Sequence, residues 1–404
     1  MKKIHYGWFV CLGCALLLFC TSGLSVNAFT VYQPYILQEN GFTNAQSSTI
    51  ITVRSLFSFF ATLLTFLYYK RLSLRVGMTL AGGLTVFGFL LFGLAGGYGL
   101  YCLAAACVGL GFGLGAMIPI AIVLEHWFIR RRSFAVGLCS AFTGLSTLGI
   151  PSALTGMIER WGLKNTFLAE AAAIALLVSI SFLLIRDYPS QKGMTPYEEG
   201  PSRAPSLPGC SGVVLTKKHW CLLWPTLLML GAMTSVGYSH LAVLATSEGF
   251  GSHAAALAIT VSGVMLTVSK CAYGWISDRI GSYRSNWIFG SVLTLGLVLC
   301  CVMNGSILLL FAAMCAYGIG LAATTVGLTT WAGDLSTPER YDDTVRRFQI
   351  GYAAGTLVFS SLPGILADRF GGSYIPAYAF FVFCTVFVIL AIQYIYRQSG
   401  AAGK

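Results

Sequence analysis

A series of twelve apolar segments, each long enough to cross a lipid bilayer, constrains the fold of this chain more than any other feature. A transmembrane helix needs about 20 apolar residues. Only 10% of the 404 residues are charged, whereas a soluble domain has about 25%. We therefore predict an all-α polytopic membrane protein of twelve transmembrane helices, which excludes soluble enzymes. The predicted spans are residues 7–35, 45–68, 76–95, 99–125, 134–157, 164–185, 219–245, 253–276, 286–303, 306–331, 346–367 and 373–396.

A polar segment, residues 186–218, divides the spans into two sets of six. It holds five of the 12 prolines of the chain, which favour an extended linker over a helix. The sequence therefore predicts an N-terminal six-helix bundle over residues 1–185 and a C-terminal six-helix bundle over residues 219–404, joined by this linker.

The two sets of spans repeat each other at an offset of 209 residues. Phe66–Arg75 aligns with Trp275–Arg284, and each stretch closes a second span and enters a loop. Gly109 in the fourth span matches Gly318 in the tenth at the same offset. We interpret these glycines as contacts between closely packed helices. Two pseudo-symmetric halves around a midplane cavity are typical of secondary transporters.

Basic residues are concentrated on one side of the predicted spans. The net charge is +11, and 20 of the 25 lysines and arginines fall in alternate loops and in the tails. Cytoplasmic loops of membrane proteins carry an excess of Lys and Arg. Both termini and the linker are therefore expected in the cytoplasm, with the protein in the plasma membrane or a bacterial cell inner membrane. The basic charge then needs no nucleic-acid partner.

The loop after the eighth span contains Gly274-Trp-Ile-Ser-Asp-Arg-Ile-Gly-Ser-Tyr-Arg284. It resembles the loop signature of the major facilitator superfamily, Gly-x-x-x-Asp-Arg-x-Gly followed by a basic residue. Three further stretches resemble the branch of monocarboxylate transporters and oxalate/formate antiporters. These are His5-Tyr-Gly-Trp-Phe, Trp127-Phe-Ile-Arg-Arg-Arg-Ser-Phe-Ala-Val-Gly-Leu138 and His240-Leu. The resemblance implies an alternating-access carrier of a small organic anion.

The sequence departs from the pattern of this branch in three places. The first-half loop has Tyr69-Lys70-Arg71 where an acidic residue followed by Arg is expected. Leu266 stands where monocarboxylate carriers of animals place an Asp, one turn before their eighth-span Arg. The eleventh-span Lys of the oxalate antiporter has no counterpart. The proton route that the resemblance implies is therefore missing at Leu266.

Lys270 is the most informative single residue. An ammonium group near the bilayer interior costs about 2.5–3.5 kcal/mol, so it should face a partner or a wet cavity. It stands four residues before Gly274, where the resemblance puts the substrate-binding cation. A lysine offers a point charge and suits a single carboxylate. Snorkelling is the alternative, but Asp278 is about 12 Å further along the helix. We favour Lys270 as a carboxylate anchor.

Arg54 is the second deep cation, about ten residues into the second span. The internal repeat makes residue 61 the counterpart of Lys270, and seven residues rotate a helix by roughly 700°. Arg54 should therefore share the face that Lys270 occupies in the other half, about 10 Å further out. It is interpreted as a second anion-binding group, an outer gate, a partner of Glu170, or a structural arginine bonded to carbonyls between helices.

Glu170 and His240 are candidates for proton coupling. A buried carboxyl group can take up a proton during transport, and an imidazole titrates near neutral pH. His240 is alternatively a substrate hydrogen-bond donor or a neutral core histidine bonded to a Ser or Tyr. Lys270 itself is the third proton-coupling candidate.

Four further residues are predicted to line the substrate site. Tyrosine and asparagine side chains give a small acid an apolar wall with hydrogen-bond donors. Aromatic residues near the ends of spans also serve as interfacial anchors, which is the alternative. The predicted wall consists of Asn27, Tyr32, Tyr35 and Tyr238.

Gating is assigned to the loop signature and to a basic loop in the first half. The resemblance implies that Asp278, with Arg279 and Arg284, closes the cytoplasmic side. Glu125 ends the fourth span and is placed with Arg131 of the following loop. The alternative for these two residues is a structural ion-pair cluster.

Three hypotheses about function follow. The first is a secondary transporter of a small organic anion, a monocarboxylate in particular, by proton symport or by antiport of the oxalate/formate type. The second is an integral-membrane enzyme, but the five histidines are scattered over loops and spans. The third is a non-transporting sensor on a carrier scaffold. We expect a monomer in the bilayer, with no cofactor and no metal.

Overall fold

The structure is a computed structural model that describes residues 5–128, 132–197, 215–337 and 340–400, without the side chains of 132–134, 140, 278, 329 and 342. Within these residues the regular structure is helical, and the one β-type pairing is an isolated bridge between Phe128 and Tyr197. The prediction of an all-α polytopic membrane protein is confirmed.

In the described residues, twelve helices form the predicted spans. A helix bonds its backbone amides and carbonyls within its own segment, as the interior of a bilayer requires. The twelve helices are α1 (Gly7–Asn40), α2 (Asn44–Arg71), α3 (Leu74–Leu94), α4 (Tyr98–Trp127), α5 (Arg132–Leu145), α6 (Ile150–Leu184), α7 (Lys217–Ser239), α8 (Ser252–Ile280), α9 (Ser282–Cys301), α10 (Ile307–Asp334), α11 (Asp343–Arg369) and α12 (Ile375–Gln398).

Several of these helices are irregular along their length. The first consists of an α-helix to Leu18, a π-helix over Phe19–Asn27, a 3-10 turn over Ala28–Val31 and an α-helix over Tyr32–Asn40. Turns of π or 3-10 type are often found at functional positions in helices. The other divided or short helical segments are Tyr98–Gly115, Met117–Trp127, Pro189–Lys192, Lys217–Gly231, Ala232–Val236, Gly237–Ser239, Leu241–Ser247, Ile307–Gly320, Ala322–Thr325, Gly327–Asp334, Tyr341–Phe359 and Leu362–Arg369.

The fifth and sixth spans are joined in one long helical stretch. Among the described residues, eleven stretches are long and apolar enough to cross a membrane, and one of them, Ala135–Leu184, has 50 residues. A helix of that length would be about 75 Å long, whereas the hydrocarbon core is about 30 Å thick. Gly162 interrupts α6 with φ 78° and ψ 163°, which a residue without a Cβ adopts readily. The fifth crossing therefore combines α5 with the part of α6 before Gly162, and the sixth is the part of α6 after it, which gives twelve crossings in the described residues.

The chain forms two compact units. Unit 1 comprises Met1–Phe42 and Thr49–Ala204, and unit 2 comprises Thr43–Ser48 and Pro205–Lys404. Each unit thus contains six of the predicted spans, except that the first turn of α2 is counted with unit 2. The predicted boundaries at 185 and 219 fall on either side of the division near residue 204.

The start of the predicted linker packs onto unit 1. The indole nitrogen of Trp127 donates to the carbonyl oxygen of Arg186 at 2.7 Å. The backbone amide of Tyr197 donates to the carbonyl oxygen of Trp127 at 2.8 Å. The backbone amide of Arg75 donates to the carboxylate of Asp187 at 2.6 Å. These bonds attach the segment after α6 to the ends of α3 and α4.

Glycines at matching positions allow the same close helix approach in both units. A Cβ at Gly109 would lie 2.2 Å from the carbonyl oxygen of Arg54, and a Cβ at Gly318 would lie 2.3 Å from that of Ser262. A Cβ is excluded at such distances, so these positions require glycine. The internal repeat therefore extends from the sequence to the packing of α4 on α2 and of α10 on α8.

Candidate functional site

Lys270 lies on α8 in unit 2, ten residues before the end of the helix at Ile280. The side chain is half-buried, and no described residue forms a hydrogen bond or ion pair with its ammonium group. A Cβ at Gly274, one turn further on, would meet nothing within 4 Å. Lys270 therefore stands beside open space.

The direction of Lys270 follows from its neighbours on α8. Val268 and Trp275 are 62% and 57% exposed and mark the lipid-facing side of the helix. At about 100° per residue, Lys270 is rotated by roughly 140–160° from both of them. Tyr273 is fully buried and packs against Phe289 in the core of the unit. The ammonium group consequently points away from the lipid side.

Arg54 is fixed inside unit 1. Its side chain is 7% exposed, and Nη1 donates to the carbonyl oxygen of Ser25 at 3.0 Å. Its Cζ atom lies 5.5 Å from the centroid of the Phe29 ring. Ser25 belongs to the π-helical part of α1. The arrangement is that of an arginine bonded to a carbonyl between helices, and Glu170 does not pair with it among the described residues.

Glu170 pairs instead with a tyrosine. The hydroxyl of Tyr32 donates to Oε2 of Glu170, and both side chains are buried. The other carboxyl oxygen, Oε1, is buried and has no hydrogen-bond partner in the described structure. The ring of Phe167 stacks on Tyr32 at 4.2 Å between centroids. The structure thus brings together two of the predicted site residues, one from the wall and one from the proton candidates.

His240 is completely buried in unit 2. Its Nδ1 lies 2.9 Å from the carbonyl oxygen of Val236, and its Nε2 lies 3.0 Å from Oγ of Ser48. A neutral imidazole that donates from Nδ1 and accepts at Nε2 satisfies both neighbours. The ring of Tyr374 lies 6.0 Å away. The geometry matches the alternative of a core histidine bonded to a serine.

The remaining wall residues are divided between the two units. Asn27 is half-buried, and its Nδ2 donates to the carbonyl oxygen of Thr143 at 3.3 Å. Tyr35 is half-buried near the end of α1. Tyr238 is half-buried in unit 2, and its buried hydroxyl has no hydrogen-bond partner among the described residues.

The predicted gating residues are seen in part. Arg279 is exposed and stacks on the ring of Trp275 at 3.9 Å. Arg284 and Glu125 are both exposed. Arg131 lies outside the described residues, as does the side chain of Asp278.

Sequence reasoning passed over Gln33 as a site residue. Its side chain is 1% exposed, and neither amide atom has a hydrogen-bond partner in the described structure. Its place in a polar run beside Tyr32 was the available signal. No group of three or more His, Cys, Asp or Glu residues that could hold a metal ion occurs in the described part of the chain.

The chain matches a family model over nearly its full length. The model is that of the Major Facilitator Superfamily, and it matches residues 15–281 and 227–402. Among curated proteins, monocarboxylate transporter 12 of Mus musculus is 23% identical over 420 residues, covering 96% of this chain and 85% of that protein. Monocarboxylate transporter 11 of Homo sapiens is 26% identical, covering 63% of this chain and 49% of that protein.

Solved structures of membrane transporters share the fold. The nucleoside transporter NupG superposes with a TM-score of 0.75 at 12% identity, covering 98% of this chain and 100% of that one. A bacterial homolog of the human lysosomal transporter Spinster, in an inward-facing and occupied conformation, gives 0.70 at 15% identity, with 98% of each chain covered.

Proposed function

Since this chain belongs to the major facilitator superfamily, we propose that it is a secondary active transporter of small organic anions, with monocarboxylates as its substrate class. The substrate is transported by alternating access, and Lys270 binds its carboxylate. Arg54 contributes a second positive charge to the anion-binding region. The wall consists of Asn27, Tyr32, Tyr35, Tyr238 and His240.

The position of Lys270 is the observation that carries this proposal. The ammonium group is half-buried, points away from the lipid side of α8, and has no described acceptor. A buried cation without a counter-ion is costly, so a bound anion stabilises it. The residues one turn before and after it, Leu266 and Gly274, carry no charge. The compensating negative charge therefore comes from the substrate.

Arg54 supports the same substrate class. It too has no carboxylate partner among the described residues, and its one hydrogen bond to Ser25 leaves other N–H groups of the guanidinium unused. Two deep cations without an acidic partner in the described part of the chain favour an anionic ligand over a neutral or cationic one. The monocarboxylate transporters among its relatives carry names that agree with this class.

Orientation and gating are part of the proposal. The excess of Lys and Arg in alternate loops places both termini in the cytoplasm, with the protein as a monomer in the plasma membrane. The loop carrying Asp278, Arg279 and Arg284 then closes the cytoplasmic side, as Glu125 and Arg131 do in the first half. Exposed ion pairs and helix-terminus contacts are weak, so a gate built from them can close and open again.

Counterflow in proteoliposomes tests the proposal. Purified protein is reconstituted with internal lactate or pyruvate, and uptake of the external labelled acid is followed. Wild type and Lys270→Arg should accumulate label, whereas Lys270→Gln should not. Lys164→Gln, which alters an exposed lysine of α6, is the matched control and should behave as wild type. Near-normal counterflow by Lys270→Gln would exclude Lys270 as the anchor.

The same vesicles separate the modes of transport. Uptake into vesicles without internal anion, accompanied by acidification, indicates proton symport. Uptake that requires internal anion and leaves the internal pH unchanged indicates exchange of the oxalate/formate type.

A further inference from the structure

We propose that Glu170 is the group that carries the transported proton, and that Tyr32 positions its carboxyl group. This inference rests on the proposed function and adds the coupling ion and its site. In the conformation described here the carboxyl group holds the proton. It releases that proton to water when α1 rearranges, and takes up another before the next cycle.

The geometry of Glu170 suits a neutral carboxylic acid. Its Oε2 accepts the hydrogen bond from the Tyr32 hydroxyl, and its Oε1 is buried without a partner. A carboxylate would leave a negative charge in this place with one hydrogen bond and no cation. Burying an unpaired charge costs far more than burying the neutral acid. The proton therefore resides on Oε1, the oxygen that accepts no hydrogen bond.

The surroundings of Glu170 hold no compensating charge. Helices α1 and α3 pack against this part of α6. From α1 the titratable neighbours are Tyr32 and the buried thiol of Cys20. The neighbouring part of α3 contributes the phenyl rings of Phe89 and Phe92, which pack against Phe167. Every described group that faces Glu170 is thus neutral or apolar at physiological pH.

Arg54 is the counter-ion that we assign to the ionised form of Glu170. The centroid of the Phe29 ring is 5.5 Å from Cζ of Arg54 and 5.7 Å from the centroid of the Tyr32 ring. Phe29 therefore neighbours both the guanidinium group and the tyrosine that holds Glu170. It belongs to the 3-10 turn that follows the π-helix of α1. Such turns are less favourably hydrogen-bonded than an α-helix and mark positions where a helix repacks. Displacement of Phe29 would expose the carboxyl group to Arg54, which favours the ionised form.

The structure also separates Glu170 from the other proton candidates. Both ring nitrogens of His240 are engaged, one by the carbonyl of Val236 and one by Ser48. In the neutral form Nε2 accepts from the Ser48 hydroxyl, so protonation of His240 would require that hydroxyl to become the acceptor. Lys270 is needed as a cation for the substrate. Glu170 has a carboxyl oxygen, Oε1, that makes no hydrogen bond in the described structure and can hold the proton.

Replacing Glu170 by its neutral isostere separates exchange from proton-coupled transport. Counterflow needs no proton release, so Glu170→Gln should keep counterflow of labelled lactate. Net uptake driven by a pH gradient should fall by about a hundredfold, the scale on which a positioned proton-transfer group acts. Glu159→Gln, which alters an exposed glutamate of α6 on the other side of the break at Gly162, should leave both activities unchanged. Retained proton-coupled uptake by Glu170→Gln would overturn the proposal, and so would loss of both activities in correctly inserted protein.

Infrared spectroscopy tests the protonation of Glu170 without any substrate. The wild type should show a carbonyl stretching band of a protonated carboxylic acid that is absent from Glu170→Gln. Tyr32→Phe should keep this band and move it to higher frequency, because the carbonyl oxygen loses a hydrogen bond. Identical spectra for wild type and Glu170→Gln would refute the proposal. If no tested anion is transported but the band is present, the proposed substrate class fails while the proton site stands.

Discussion

The carboxylate of Asp368 accepts hydrogen bonds from the backbone amides of Asn44 and Ala45, at 2.9 and 2.8 Å. These amides belong to the first turn of α2, where they have no partner within the helix. The side chain of Asn44 donates to the same carboxylate at 2.9 Å and accepts from the hydroxyl of Tyr374 at 3.1 Å. An aspartate of α11 thus caps the first turn of α2, more than 300 residues earlier in the chain, and this turn is counted with unit 2.

The first prediction concerns this cap. Asp368→Asn replaces a charged acceptor by a neutral one and turns part of the side chain into a donor. We expect the free energy of unfolding to fall by about 1–2 kcal/mol, the range measured for helix caps. Thermal unfolding in detergent would show this as a lower Tm. Asp343→Asn is the control, since Asp343 forms exposed ion pairs with Arg346 and Arg347, which contribute about 0–1 kcal/mol. An equal or smaller effect of Asp368→Asn would contradict the cap.

The second prediction concerns the glycine one turn before Asp368. A Cβ at Gly364 would lie 2.2 Å from the carbonyl oxygen of Asn44 and 2.3 Å from Oγ of Ser48. Gly364→Ala should therefore push the first turn of α2 away from α11 and lower the Tm. Combined with Asp368→Asn, the losses should be smaller than their sum, because both changes disrupt one contact. Gly274→Ala is the matched control, since a Cβ there meets nothing within 4 Å. Additive losses would show that the two residues act separately.

The spacing of the loop signature occurs a second time in the sequence, at this contact. Gly364-Ile-Leu-Ala-Asp-Arg-Phe-Gly371 repeats the Gly-x-x-x-Asp-Arg-x-Gly spacing of Gly274–Gly281. Hydropathy identified the helices because each must present about 20 apolar residues to the bilayer. It does not indicate which helices meet, since lipid and helix interiors are equally apolar. The hydropathy pattern therefore cannot predict which residues Asp368 contacts.

The same limit applies to the candidate site. The depth of Lys270 and Arg54 follows from counting residues along a helix, and the structure places both away from the lipid. The pairing of Tyr32 with Glu170 joins residues 138 apart, and no local pattern specifies it. The π-helix in α1 depends on which carbonyl each amide selects, and hydropathy carries no information on that choice. The depth of the charged residues can therefore be predicted from their position in the chain, whereas their partners depend on long-range packing.

The third prediction concerns the charge of the substrate. One lysine supplies a single positive charge with three donors, which suits one carboxylate. Lactate or pyruvate should compete for uptake better than oxalate, a compact dianion. Lys270→Gln should weaken binding of the monoanion by about a hundredfold, since it removes one partner of a desolvated charge pair. Competition assays on wild-type vesicles give the ranking. Stronger inhibition by oxalate would reverse it.

The fourth prediction concerns the loop signature. If Asp278 closes the cytoplasmic side through basic groups and a helix N-terminus, Asp278→Asn should bias the protein away from the outward-open state. A cysteine introduced in a cytoplasmic loop should then react faster with a membrane-impermeant maleimide. The assay needs a background in which Cys210 of the predicted linker and the exposed Cys221 and Cys271 are replaced by serine. Asp343→Asn again serves as the control. Unchanged labelling would remove Asp278 from the gate.

The last prediction separates the structural and electrostatic roles of Arg54. Its guanidinium group donates to the carbonyl oxygen of Ser25, and the amide of a glutamine can donate to the same oxygen without carrying a charge. Arg54→Gln should therefore unfold at a Tm close to that of wild type, whereas Arg54→Leu, which removes this buried hydrogen bond, should lose about 1–3 kcal/mol. Both variants remove the positive charge, so both should raise the KM for lactate uptake, by about tenfold for each 1.4 kcal/mol of lost attraction. Wild-type KM in Arg54→Gln, together with a lower Tm in Arg54→Leu, would assign Arg54 to structure alone.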